Sequence, residues 1–219
     1  AFSGGLHGVG VSVTNALSLR LVVTVWRDGQ EWEIEFASGE VKTPLKKLGA
    51  AAGKSGTRVR VWPDPKYFDE AQVPRHELAR SLKARAVLLP GVTTQLLIEK
   101  SAQSSEWLYA GGLEAYLLES IGEASLLVPM WSHEGYVGAE DETFAQGEGA
   151  QWVVAFTQEG SVLRESFVNL IPTPAGGTHE AGLRDGLFSA VKAFAEQQGL
   201  VPKGVKLLPE DVFSRCSFV

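Results

Sequence analysis

The sequence predicts an α+β fold divided into two units. Strand-forming runs joined by tight turns fill much of the first hundred residues. Apolar residues recur at helical spacing near 74–89 and again near 180–198. A small polar stretch at 100–105 interrupts the pattern before strands and helices restart, which places a first unit at 1–100, a boundary at 101–105 and a second unit at 106–219.

Residues 21–27 and 30–36 are rich in β-branched and aromatic side chains and flank Asp28-Gly29, a dipeptide that tolerates the positive φ angles of a two-residue hairpin turn. In the second run Trp32, Ile34 and Phe36 alternate with Glu31, Glu33 and Glu35, which predicts one face on a core and the other in water. Residues 57–62 alternate similarly, Val59 and Val61 against Arg58 and Arg60, until Pro63-Asp64-Pro65 ends the strand. From 74 to 89, Leu78, Leu82, Ala86 and Leu89 take one helical face, with Arg75, Arg80, Lys83 and Arg85 elsewhere. Pro90-Gly91 stops that helix ahead of a strand at 93–99. Beyond the boundary the order is strand, helix (113–120), strands at 151–158 and 163–170, a Gly/Pro-rich loop, a long helix at 180–198 and a last strand. Between 134 and 149, five acidic residues and four glycines without periodicity predict a mobile surface loop.

Composition narrows the class. With 44% hydrophobic residues and 21% charged, the chain is globular rather than disordered, and its apolar runs fall far short of the ~20 residues a membrane helix needs. A lone cysteine, Cys216, excludes an internal disulfide framework and points to a reducing compartment, the cytosol by default. Twenty basic against twenty-six acidic residues give a net charge of −6, so any contact with nucleic acid must be local. The first residues carry neither an initiator Met nor a signal, and the last ones stop inside a strand-like run; the expectation is an excised piece.

The segment with most chemistry is Gly4-Gly5-Leu6-His7-Gly8-Val9-Gly10, four glycines in seven positions ahead of a short helix at 11–17. Glycine lets backbone N–H groups approach a polyanion closely, and a helix start adds unpaired donors. The spacing is neither a Walker A motif, which ends in Gly-Lys-Ser/Thr, nor the strand-borne G-x-G-x-x-G of dinucleotide folds. Glycine content by itself leaves two readings open, a phosphate cradle and a structural turn.

Ser3 to Ser18 closely resembles the ATP-lid motif in the B subunits of bacterial type II topoisomerases. These are gyrase B and the corresponding topoisomerase IV protein (ParE), within the ATPase class shared with MutL, the ninety-kilodalton heat-shock chaperone and histidine kinases. The resemblance continues through Ser55-Gly56-Thr57, Val59-Arg60-Val61-Trp62-Pro63, Val168-Asn169-Leu170-Ile171-Pro172-Thr173 and Gly176-Gly177-Thr178-His179, and so covers nearly the whole chain. Residues 84–92, Gly182-Leu183-Arg184 and Arg215-Cys216 look more like topoisomerase IV than gyrase.

The resemblance implies the C-terminal half of an ATPase α/β sandwich followed by a βαβ-containing transducer. It implies that Gly4, Gly5, Leu6, His7, Gly8, Val9 and Gly10 close over the triphosphate, that Thr57 sits beside the adenine and that Arg27 lies at the pocket mouth. ATP with Mg2+, an A-type (ParC-like) subunit carrying the cleavage tyrosine, DNA held by the full assembly and homodimerisation on ATP binding come with it, in the cytoplasm and away from membranes. The implied activity is ATP-driven strand passage with decatenation and relaxation. The alternatives are gyrase B, a related ATPase of mismatch repair or chaperoning, and a non-enzymatic transducer module. The family's general-base glutamate, magnesium-binding asparagine and adenine-reading aspartate would precede residue 1, and its Gln-Thr-Lys loop would follow Val219. No catalytic residue is therefore assigned within the chain. By itself the chain is expected to show no ATP turnover, since each lost class of contact costs several kcal/mol at the transition state. The lid, lacking most of its pocket, is expected to be disordered without nucleotide.

Other candidates carry less chemistry. Thr178 or His179 is expected to cap the long helix, unless the loop relays nucleotide state; Glu180 and Glu196 are not read as catalytic. His7, His76, His133 and His179 lack zinc-site spacing. Cys216 is read as buried and inert. The basic residues of the 75–85 helix read as a solvated face rather than a DNA contact.

Overall fold

The computed structural model describes residues 9–70, 72–122, 126–140 and 143–219. The chain divides into two compact units, 1–75 and 76–219.

The first unit opens with α1 (Gly10–Ala16), followed by β1 (Ser18–Arg27), β2 (Gln30–Ala37), β3 (Glu40–Ala50) and β4 (Gly56–Pro63). Among the described residues the strands form an antiparallel sheet in the order β3-β2-β1-β4. The expected hairpin is present: Arg27 pairs with Gln30, and Asp28 (φ 51°) and Gly29 (φ 71°) supply the two left-handed residues its turn requires. Helix α1 is fastened to the β2–β3 turn, where Asn15 Nδ2 donates to the Gly39 carbonyl at 2.9 Å.

Two expectations for this sheet need correction. All eight residues of β2 are half-buried, so Glu31, Glu33 and Glu35 do not form a water-facing row. The strand is flanked on both sides, and Glu35 is only 15% exposed because Arg20 Nε (2.9 Å) and Lys42 Nζ (3.0 Å) close over it. The alternation in β4 holds, but its apolar face is no core: Val59 is 48% and Val61 38% exposed. Strand β3 was not among the expected elements, and it contains Pro44. The proline is accommodated because β3 is an edge strand whose register shifts between Glu33 and Glu35 of its neighbour.

The second unit contains α2 (Arg75–Leu88), β5 (Thr94–Ile98), β6 (Gln103–Trp107), α3 (Gly112–Ile121), β7 (Trp131–Tyr136), β8 (Gly149–Phe156), β9 (Phe167–Val168), β10 (Ile171–Pro172), α4 (Thr178–Gln197), α5 (Pro209–Phe213) and β11 (Cys216–Phe218). The expected boundary at 101–105 lies inside the β5–β6 hairpin, whose turn contains Ala102 at φ 50°. The division into compact units falls at Arg75.

Strand β8 is the centre of a sheet ordered β11-β8-β7. Its Val153 and Ala155 join Leu113, Tyr116, Leu117 and Ile121 of α3 and Ala86 and Val87 of α2 in one core. Its Val154 faces the other way, onto Phe213, Cys216 and Phe218, with Leu187 and Val191 of α4 packed against them. Consecutive residues of β8 thus serve opposite layers, the period-two consequence of a strand covered on both faces.

The expected strand at 163–170 is shorter and bends. Asn169 (φ 47°) and Leu170 (φ 71°) form a two-residue turn pairing Val168 with Ile171. The predicted loop between 134 and 149 is partly strand, since β7 runs to Tyr136 and β8 starts at Gly149; Asp141 and Glu142 lie outside the described residues.

Candidate functional site

Of the glycine-rich segment, Gly4, Gly5, Leu6, His7 and Gly8 lie outside the described residues, and with them most of the expected lid. Val9 and Gly10 are described. Val9 is the N-cap of α1 and makes no side-chain cap bond, and Gly10 is the first helical residue, with open space where a Cβ would be. The expected helix after the glycines is therefore present despite Val11 and Val13.

The sheet brings Arg27 and Thr57 together. Thr57 pairs with Val25, and Arg27 lies two residues further along β1, so both side chains project from the same face as diagonal neighbours. Val23 and Val59, paired on that face, form an apolar floor beside them. The Arg27 side chain is 81% exposed, and its contact with Asp28, 3.6 Å away, is equally open to water. An apolar strip ending in a hydroxyl and a guanidinium suits a flat heteroaromatic ring with polar edges, which is the chemistry of an adenine. The residues present fit a nucleotide base. For a divalent cation they do not: no group of three or more His, Cys, Asp or Glu that could hold a metal occurs among the described residues.

A second polar assembly, in the 76–219 unit, was not anticipated. Lys83 Nζ of α2 contacts Glu119 Oε1 of α3 at 3.1 Å, and Tyr109 Oη donates to Glu119 Oε2 at 2.7 Å. The Tyr109 bond, seconded by Lys83, holds the Glu119 carboxyl below the usual range despite some burial. Partial burial works against the Lys83 ammonium, but its bonds to Glu119 and Tyr109 prevail and hold its pKa above the ordinary value. Tyr116 Oη donates to Glu165 Oε2 at 2.8 Å, and burial, reinforced by that bond, pushes the phenol up.

Beside this assembly lies a cavity of about 540 Å³ lined by Arg80, Val87, Tyr116, Phe167, Pro172 and Glu180, among others. The expected cap of α4 is absent: Gly177 is the N-cap and no side chain bonds the helix start. Thr178 is the first helical residue, while His179 Nε2 lies 3.3 Å from Thr173 Oγ1. Ser166 Oγ meets Thr173 Oγ1 at 2.7 Å and Glu180 Oε2 at 3.1 Å, so the loop is closed by two hydroxyls and a carboxylate. Only the clustering of Thr173, Gly176, Gly177 and His179 hinted at it. Cys216 is fully buried, as expected, and burial pushes its thiol up to about 11. No helix among the described residues is long and apolar enough to cross a membrane.

Comparison with known proteins points to one family. Residues 112–219 match the DNA gyrase B family. The chain is 43% identical over 220 residues to the B subunit of DNA topoisomerase 4 from Pseudomonas aeruginosa, covering all of this chain and 34% of that protein. It is 42% identical over 221 residues to the B subunit of the Escherichia coli (strain K12) enzyme, again covering all of this chain and 34% of that protein. Along its whole length the chain resembles the B subunits of bacterial type II DNA topoisomerases.

Solved B-subunit structures agree. The ATP-binding domain of Francisella tularensis topoisomerase IV, in complex with a small-molecule inhibitor, matches with a TM-score of 0.69 and 32% identity, over 99% of this chain and 58% of that one. The 43K ATPase domain of Thermus thermophilus gyrase B, in complex with an aminocoumarin, matches with a TM-score of 0.76 and 28% identity, over 97% of this chain and 57% of that one. The chain spans about a third, 34%, of the length of the curated relatives it matches.

Proposed function

We propose that this segment is part of the ATPase region of a topoisomerase IV-like enzyme, one that couples ATP binding and hydrolysis to the passage of one DNA duplex through another, with decatenation and relaxation as the outcome. The observation that carries the reading is the 43% identity over the entire chain to a topoisomerase IV protein of the B type. In this reading Gly4, Gly5, Leu6, His7, Gly8, Val9 and Gly10 close over the triphosphate, Thr57 bonds the adenine edge and Arg27 lines the pocket mouth. The shared face of Arg27 and Thr57, with Val23 and Val59 beneath, supports the placement of the base. Residues 101–105 separate the ATPase part from the transducer; the start of the family match at Gly112 supports that division.

The partners are an A-type subunit carrying the cleavage tyrosine, DNA, and on ATP binding a second copy of the B-type chain, in the cytoplasm. Mg2+ would neutralise phosphate charge during hydrolysis; its protein ligand is assigned to none of the described residues. The full-length protein combined with its A-type partner should unlink catenated DNA circles only when ATP is present. A second reading, gyrase B, is favoured by the gyrase B family match at 112–219. ATP-dependent introduction of negative supercoils into a relaxed plasmid would establish gyrase instead, and absence of both reactions would reject the topoisomerase assignment.

A further inference from the structure

The face of the first sheet opposite Arg27 and Thr57 carries an organised set of cations. Arg20 lies over the Trp62 ring at 4.8 Å and Arg60 over the same ring at 5.7 Å. Arg58 lies over Trp26 at 5.1 Å, and Lys54 over the same ring at 5.5 Å. Stacking on indole limits the rotamers of these long side chains before any ligand arrives, so less ordering remains to be done on binding.

Arg58, Arg60 and Lys54 have no carboxylate partner among the described residues. The register explains why. Across the sheet Arg60, Val22 and Glu35 form one row, and Arg58, Thr24 and Glu33 the next. Each arginine is thus two strand spacings, about 9.5 Å, from the glutamate on its own row. Glu35 is already held by Arg20 and Lys42, and Glu33 accepts from Thr24 Oγ1 at 3.5 Å. Glu31 and Glu33 make the β2 side of this face unfavourable to an anion, so the open positive stripe runs along β4, an edge of the sheet among the described residues.

We propose that this stripe docks duplex DNA by its phosphates, with Arg58 and Arg60 as the principal contacts and Lys54 beside them. Arg58 and Arg60 stand two residues apart on one face of β4, about 6.7 Å along the strand, close to the separation of successive phosphates on one nucleic-acid strand. Guanidinium groups bond phosphate oxygens in a fixed fork, and contacts to phosphates carry no base information, so the contact is indifferent to base sequence. The net charge of −6 works against long-range attraction, which makes the docking weak and strongly salt-dependent. The choice of duplex DNA over another polyanion rests on the topoisomerase reading above; the cationic stripe itself does not.

The test is an anisotropy titration of a short fluorescein-labelled duplex with the chain, at salt concentrations from about 50 to 200 mM. Arg58→Glu/Arg60→Glu should weaken binding about tenfold or more and reduce the slope of log affinity against log salt by about two, since each lost phosphate contact removes about 0.9. Arg58→Lys/Arg60→Lys should keep the slope of the unsubstituted chain. If circular dichroism finds the charge-reversed variant unfolded, Arg58→Gln/Arg60→Gln reads the same loss. Unchanged affinity and slope in a folded Glu or Gln variant would overturn the proposal, as would absence of duplex binding by the unsubstituted chain at 50 mM salt. Poly-glutamate competing better than unlabelled duplex would transfer the surface to an acidic protein. Intact, Arg58/Arg60-dependent duplex binding in a protein without decatenation or supercoiling would reject the enzyme assignment and leave the docking surface standing.

Discussion

Tyr116 Oη donates a hydrogen bond to Glu165 Oε2 at 2.8 Å, a bond that joins α3 to the segment leading into β9. The Tyr116 ring also meets the Tyr109 ring edge-on, with centroids 5.7 Å apart. Tyr116→Phe keeps the ring contact and takes away the donor, leaving a half-buried carboxylate short of one bond. A loss of about 1–2 kcal/mol is expected. Urea unfolding should show a lower midpoint at unchanged slope, and an unaltered midpoint would mean that water replaces the phenol without cost.

Glu119 and Lys83 make stability depend on pH at both extremes. The Glu119 carboxyl titrates below its ordinary 4.5 in the folded chain, first because Tyr109 donates to it and then because Lys83 does. Its contribution is complete above 4.5 and disappears as pH falls through the lowered folded value. Lys83 titrates above its ordinary 10.5, so its contribution is complete below 10.5 and disappears as pH rises through the raised folded value. Glu119→Gln should flatten the acid limb of a thermal-stability profile. An acid limb identical to that of the unsubstituted chain would show the bond to be energetically silent.

Cys216 should resist thiol reagents until the chain unfolds. Its thiol titrates near 11 in the fold against 9.0 when free, because burial disfavours the thiolate. The fold therefore favours the protonated form, and this contribution is present below pH 9 and lost between 9 and 11. Labelling with an aromatic disulfide at pH 8 should await denaturant; rapid labelling of the native chain would contradict the sealed environment of β11.

Thr57→Ala in the full-length protein should weaken ATP-analogue binding about fivefold, the worth of roughly one net hydrogen bond. Arg27→Ala should do less, given how freely water reaches the guanidinium. Calorimetric titration measures both, and full affinity in the Thr57 variant would remove that residue from the adenine pocket.

Local chemistry was the most legible part of this fold. Asp28-Gly29 announces its turn because few other dipeptides tolerate two positive φ angles, and the apolar spacing from Leu78 to Leu89 announces α2. Burial was less legible. Val59 and Val61 alternate as core residues do, yet they are substantially exposed, because alternation specifies a face and not what covers it. Glu35 looked solvated until Arg20 and Lys42, from neighbouring strands, closed over it. At the candidate site, Arg27 and Thr57 were chosen by resemblance to a family, and register then set them side by side. The hydroxyl and carboxylate cluster of Ser166, Thr173 and Glu180 escaped notice because no periodic pattern accompanies a loop closed by its side chains.

Strand β8 serves as a party wall between two rooms. Val153 and Ala155 furnish one side and Val154 the other, so a slip of a single residue would exchange the furniture of both at once. Neither side can therefore be repacked or melted in isolation, and the second unit should lose both layers in one cooperative step. Insertions between 137 and 148 spare that wall, whereas one added residue between 152 and 156 inverts it.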